Sequence, residues 1–106
     1  MPYIYEMSFE ISSDELDALK IGAGLERVLG YLRTLLPSET GYVTSRALYT
    51  VENEQKTRIA FWSEWEEWED LVRHRSSPLL EDKILEEFKP HIKLEGLSTR
   101  VYTEIA

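Results

Sequence analysis

The sequence contains no cysteine, which excludes disulfides, thiolate nucleophiles, iron–sulfur clusters and cysteine-based zinc sites. Histidine is almost as scarce. His74 and His91 are the only two, and Pro90 interrupts any helical spacing that would join His91 to Glu87 at a metal. No metal site is therefore expected. Basic residues are in deficit, with 12 Lys and Arg against 20 Asp and Glu and a net charge of −8. Nucleic acids and anionic membrane surfaces both select for Lys and Arg, so neither is expected as a partner. No apolar run approaches the ~20 residues needed to span a bilayer. Residues Met1 to Glu6 lack the basic start and apolar core of a secretion signal. A soluble, cytoplasmic protein is the expectation. Phosphate loops and the GxSxG nucleophile pattern are also missing.

What is present suits one folded domain. The chain has 106 residues, and its 42% hydrophobic content is too high for a disordered segment. A domain of this size buries only roughly 60–65% of its unfolded surface, so a subunit partner would help it.

Hydrophobic periodicity divides the chain. Tyr3, Tyr5, Met7, Phe9 and Ile11 alternate with Ile4, Glu6, Ser8 and Glu10, which predicts a strand. Ser12 and Glu15 have the spacing of a capping box. The helical stripe then rotates at Gly22-Ala23-Gly24, where two glycines each cost ~1 kcal/mol in a helix interior. This predicts a short helix over 13–20, a break, and a main helix over 24–36. The main helix carries Leu25, Val28, Leu29, Leu32, Leu35 and Leu36 on one face.

Gly41 predicts a turn, residues 42–51 a second strand, 52–56 a polar turn, and 57–62 a third strand closing a hairpin. Ser63 and Glu66 read as a second capping box. The helix they start would carry Trp65, Trp68 and Val72 on one stripe as far as His74. Ser77-Pro78 opens a further helix on which Leu80, Ile84 and Phe88 recur every four residues. Alternation from Leu97 to Ile105 predicts a last strand.

The order β-α-β-β-α-α-β predicts an α+β, ferredoxin-like fold: an antiparallel sheet with its helices on one face. The other sheet face then needs cover. A second copy is the simplest cover, because two-fold dimers are the commonest oligomers.

Three local patterns accompany this order. They are Gly41-Tyr42 opening the second strand, the run Phe61-Trp62-Ser63-Glu64-Trp65-Glu66-Glu67-Trp68, and His74-Arg75-Ser76-Ser77-Pro78. Together they resemble the dimeric α/β-barrel superfamily, and within it the antibiotic-biosynthesis-monooxygenase-type domains. The resemblance covers essentially the whole chain. It implies a homodimer packed sheet to sheet, with a pocket between helices and sheet in each subunit. It also implies a cofactor-independent monooxygenase acting on a small aromatic or quinol-type substrate. The alternative is a non-catalytic dimer that binds a small ligand or a protein. The haem-degrading members of the superfamily use an Asn, a Trp and a His. This chain has Met7 or Ser8, Leu71, and Glu81 or Asp82 at those places, which disfavours haem degradation.

The candidate catalytic residue is His74, whose ordinary pKa of ~6.5 suits a general base. Packing near a helix end is the alternative role. Trp62 and Trp65 are candidate aromatic walls for a flat substrate, or core residues, and Trp68 reads as core. Arg46, Tyr49, Arg100 and Tyr102 are strand residues that could donate to a phenolate, or form salt bridges and dimer contacts. Tyr3 and Tyr5 read as packing residues. The acidic run Glu64, Glu66, Glu67, Glu69 and Asp70 reads as the solvated face of a helix.

Overall fold

A computed structural model describes residues 2–12, 18–50, 56–88 and 96–105. β1 runs Tyr3–Ser12, α1 Ala18–Thr34, β2 Tyr42–Tyr49, β3 Lys56–Trp65, α2 Trp68–Ser76, α3 Leu79–Phe88 and β4 Ser98–Thr103, with a 3-10 turn at Leu36–Ser38. The strands form one antiparallel sheet in the order β2-β3-β1-β4. This is the expected α+β, ferredoxin-like arrangement. The capping box at Ser12–Glu15, the turn at 52–56 and the chain from 89 to 95 involve residues outside those described.

Alternation along β1 decides the layering. Tyr5, Met7, Phe9 and Ile11 are buried beneath the helices. They meet Val28, Leu32 and Leu36 from the α1 side, Ile59, Phe61 and Trp65 from β3, Leu71 from α2, and Leu80, Ile84 and Phe88 from α3. Side chains of opposite parity form the second sheet face, which no described helix covers. There Arg58 folds across β1, donating from Nη2 to Ser8 Oγ at 2.7 Å and lying 3.5 Å from Glu10.

Four sequence expectations are corrected. First, α1 runs without a break through Gly22-Ala23-Gly24. Gly24 serves packing: a Cβ there would stand 2.8 Å from the Phe88 ring. Tertiary packing thus overrides the propensity cost. Second, α1 ends at Thr34 and the 3-10 turn swings Leu36 inward, so Leu35 is 53% exposed instead of continuing the buried stripe. Third, β3 extends to Trp65 because it lies between two partners, and Trp65 pairs with both Tyr3 and Tyr42. Ser63 is therefore a strand residue; its Oγ accepts a hydrogen bond from Trp65 Nε1 at 2.9 Å. Fourth, α2 starts at Trp68 with no side-chain cap. Trp65 and Trp68 consequently share no helical stripe. Trp65 is fully buried, whereas Trp68 is 42% exposed between the Tyr3 ring edge and the Arg75 guanidinium.

The turn into β2 is fixed by Gly41, the one glycine among the described residues with positive φ, at 83°. The Asp70 carboxylate occupies the space a side chain would take there. That buried carboxylate is paired with Arg73 Nη1 at 3.1 Å.

Candidate functional site

The sheet separates the sequence-predicted site residues into two groups. His74 and Trp65 lie on the helix side. The His74 ring stacks on Trp65, with centroids 4.7 Å apart and planes at 26°, and meets Tyr5 edge-on at 5.6 Å. It is buried, and neither ring nitrogen has a hydrogen-bond partner. The Glu39 carboxylate faces Nδ1 at 3.5 Å. Burial lowers the imidazole pKa from its ordinary value, and the Glu39 charge only partly opposes this. The ring is therefore neutral at neutral pH. Burial also raises the Tyr5 hydroxyl beside it.

Arg46, Trp62 and Arg100 lie on the opposite, helix-free face. The ladders place them with Glu6 in one row across the sheet, Arg46–Trp62–Glu6–Arg100. Tyr102 belongs to the next row, with Ile4, Glu64 and Thr44. The Trp62 ring leans over β1 to reach Tyr102, at 6.0 Å between centroids. Tyr102 donates to Glu6 Oε2 at 2.5 Å, and Glu6 is only 7% exposed. Tyr49 pairs with Ile59, so it belongs to the helix side at the sheet edge, where it is exposed.

Two cavities flank β2. One, of about 330 Å³, lies between α1 and β2 and is lined by Leu29, Leu32, Arg33, Ser45, Arg46, Ala47 and Leu48. The other, of about 220 Å³, is a cleft on the helix-free face bounded by Ile4, Thr44, Arg46, Trp62 and Glu64. Arg46 stands at the margin of both, whereas His74, Trp65, Tyr49, Arg100 and Tyr102 line neither.

Sequence reasoning missed Leu29, Leu32, Arg33, Ala47 and Leu48 as cavity residues. A signal existed. Ser45 and Ala47 are the helix-facing positions in the middle of β2, and two small side chains opposite an α1 leucine stripe leave unfilled volume. Among the described residues no group of three or more His, Asp or Glu is placed to hold a metal ion. No described helix is long and apolar enough to cross a membrane.

The α+β sandwich with an uncovered sheet face defines a ferredoxin-like domain. Its fold is that of the antibiotic-biosynthesis-monooxygenase-like proteins, as three solved structures illustrate. A Bacillus cereus protein provisionally named an antibiotic biosynthesis monooxygenase superposes with a TM-score of 0.67 at 18% identity, over 100% of this chain and 97% of its own. SnoaB, a cofactor-independent oxygenase from Streptomyces nogalater, gives 0.62 at 8% identity over 100% and 96%. A dimeric ferredoxin-like protein of unknown function from Jannaschia gives 0.66 at 12% identity over 96% and 99%. No protein-family model and no curated protein sequence matches the chain.

Proposed function

We propose that the protein is a cofactor-independent oxygenase of small acidic aromatics, with its site in the cavity between α1 and β2. One observation carries this reading. A chain with a net charge of −8 places two of its arginines at one cavity, Arg33 on the helix side and Arg46 at the margin, with Leu29, Leu32, Ser45, Ala47 and Leu48 completing the lining. Apolar walls with cationic donors at the margin suit a flat ring bearing a phenolate. A cavity of ~150 Å³ holds benzene, so the present ~330 Å³ suits two fused rings. The shared fold with SnoaB, described as a cofactor-independent oxygenase, supports the reaction class.

The arginines favour the ionised substrate, and its proton passes to water at the cavity mouth. The electron-rich anion then reacts with dioxygen. A phenol with a free para position takes up one O₂ and becomes a quinone. One oxygen atom becomes the new carbonyl, and the other leaves as water with the two hydrogens lost. His74 packs against Trp65 in this reading and takes no proton, because its ring lines neither cavity. A homodimer, with a second copy covering the helix-free sheet face, completes the reading. Light scattering should then give a mass of twice 12.4 kDa, and a mass of 12.4 kDa would refute the dimer.

The test is tryptophan-fluorescence titration with naphthols and naphthoquinols at pH 7.5, followed by oxygen uptake. Saturable binding with uptake is expected. Arg33→Gln should reduce uptake about tenfold, the usual scale for one charge-assisted hydrogen bond. His74→Phe should leave uptake unchanged; a tenfold loss would restore His74 as the base. A second reading, binding without turnover, is favoured by the absence of a general base among the described lining residues. Binding of an oxidisable ligand with no uptake would establish it.

A further inference from the structure

We propose that the cavity between α1 and β2 takes its aromatic substrate as a hydroxyarenecarboxylate, with Ser45 holding the carboxylate beside Arg33 and Tyr42 setting the direction of the Ser45 hydroxyl. The inference rests on the oxygenase reading and names its substrate class.

The cavity lies under α1, on the opposite side of the sheet from the face given to a second copy, and it is graded along its length. Residues 35–41 join the end of α1 to the start of β2, so Arg33 and Ser45 lie toward the joined end. Leu29 lies one helical turn, about 6 Å, back along α1, and Leu48 about 10 Å further along β2. One end therefore carries a guanidinium and a hydroxyl, and the other is walled by leucines. Ser45 bears the sole hydroxyl among the described lining residues. Its Oγ lies 2.9 Å from the Tyr42 hydroxyl. The phenol is the more acidic of the two hydroxyls, so it donates and Ser45 accepts, which leaves the Ser45 proton for a ligand. The Tyr42 ring is itself held edge-on to the buried Trp65, at 6.0 Å between centroids. Ser63, opposite Ser45 in the ladder, is taken by the Trp65 indole and does not line this cavity.

A directed hydroxyl beside a guanidinium selects an anion with more than one acceptor oxygen. Arg33 has no ion-pair partner among the described residues, and no described lining residue is a carboxylate that could compete for it. Its charge also offsets the negative end of the α1 dipole, in whose last turn it sits. A carboxylate fits this pair of donors. Its planar oxygens match the guanidinium fork and leave a lone pair for the Ser45 hydroxyl. Arg46, at the margin, remains for the phenolate. Both acidic groups then stand on one ring at the polar end, and the second ring lies between Leu29 and Leu48. The carboxylate anchors the ring and takes no part in the oxidation.

The probes are 1-naphthol and 4-hydroxy-2-naphthoate, which share a phenol with a free para position and differ by the carboxylate. Calorimetry under nitrogen at pH 7.5 gives each Kd, and oxygen uptake gives turnover. The hydroxynaphthoate should bind about tenfold more tightly, the scale of one charge-assisted hydrogen bond. Ser45→Ala should reduce that preference about fivefold. Tyr42→Phe keeps the ring against Trp65 and should reduce it about threefold, with the circular dichroism of both variants unchanged. Equal or weaker binding of the hydroxynaphthoate, alongside uptake with 1-naphthol, would overturn this inference and leave the oxygenase reading standing. A preference that survives both substitutions would also overturn it. A preference lost in both variants, with no uptake from either compound, would uphold the acid-binding end and refute the oxygenase reading. Binding of neither compound would overturn both.

Discussion

Helix α1 contains three glycines, Gly22, Gly24 and Gly30, and helix propensity alone predicts the same gain from alanine at each. The structure predicts opposite responses. A Cβ at Gly22 or Gly30 meets nothing within 4 Å. Substitution there gains helix propensity and reduces unfolded-state freedom, stabilising by ~0.5–1 kcal/mol. At Gly24 a Cβ would lie 2.8 Å from Cζ and 2.9 Å from Cε1 of Phe88. Carbon atoms settle at ~3.5–4.0 Å, so the ring must retreat by roughly 0.7–1.2 Å. It has little room, because Phe88 is fully buried and its ring lies 5.3 Å from that of Phe9. Overpacking of this kind costs ~1–3 kcal/mol, set against the ~1 kcal/mol propensity gain. Gly24→Ala should therefore be destabilising by ~1 kcal/mol overall. Its difference from Gly30→Ala isolates the packing cost, since the propensity gain is common to both. Urea unfolding at one fixed protein concentration measures all three. A Gly24→Ala variant as stable as Gly30→Ala would refute the reasoning, because the Phe88 seat would then carry no packing constraint.

Three other outcomes are expected. Burial lowers the His74 pKa in the folded state, so the unfolded chain binds the proton first as pH falls. His74's contribution to stability is thus complete above the unfolded value of ~6.5 and is lost as pH falls from there through the lower folded pKa. Urea midpoints should decline over that window in wild type and stay flatter in His74→Phe. Gly41→Ala meets both a positive φ and the Asp70 carboxylate, so it should cost ~2 kcal/mol or more, and Asp70→Gly should rescue it only in part. Ser63→Ala leaves the buried Trp65 indole N–H without its acceptor and should cost ~1–3 kcal/mol in thermal or urea unfolding.

The strands were legible because their periodicity is local. Tyr3 to Ile11 carries its own alternation, and β1 uses it as expected. The helix α3 was equally plain from Leu80, Ile84 and Phe88, all of which are buried. Boundaries failed where a distant partner decides them. Ser63 and Glu66 satisfy a local capping rule, but strand pairing to Tyr3 and Tyr42 extends β3 to Trp65. Gly22-Ala23-Gly24 resembles a helix break until the Phe88 ring is seen against Gly24. The candidate site was less legible. Arg46 and Trp62 were named and do meet across the ladder, but sequence could not show that the sheet stands between them and His74. Glu64 read as part of an acidic helical face; in the structure it is a strand residue lining a cleft.

The strand order has a consequence for how fast the chain folds. Of the three ladders only β2–β3 joins neighbours in sequence. The β1–β3 ladder joins Met7 to Phe61, and the β1–β4 ladder joins Tyr3 to Thr103, about a hundred positions away. Loop closure of that length must precede any reward from pairing. The hairpin is therefore expected to form first, and β4, exposed along all six residues, to dock last. Refolding on the millisecond-to-second scale is expected, with β4 the first strand to exchange its amide hydrogens under native conditions.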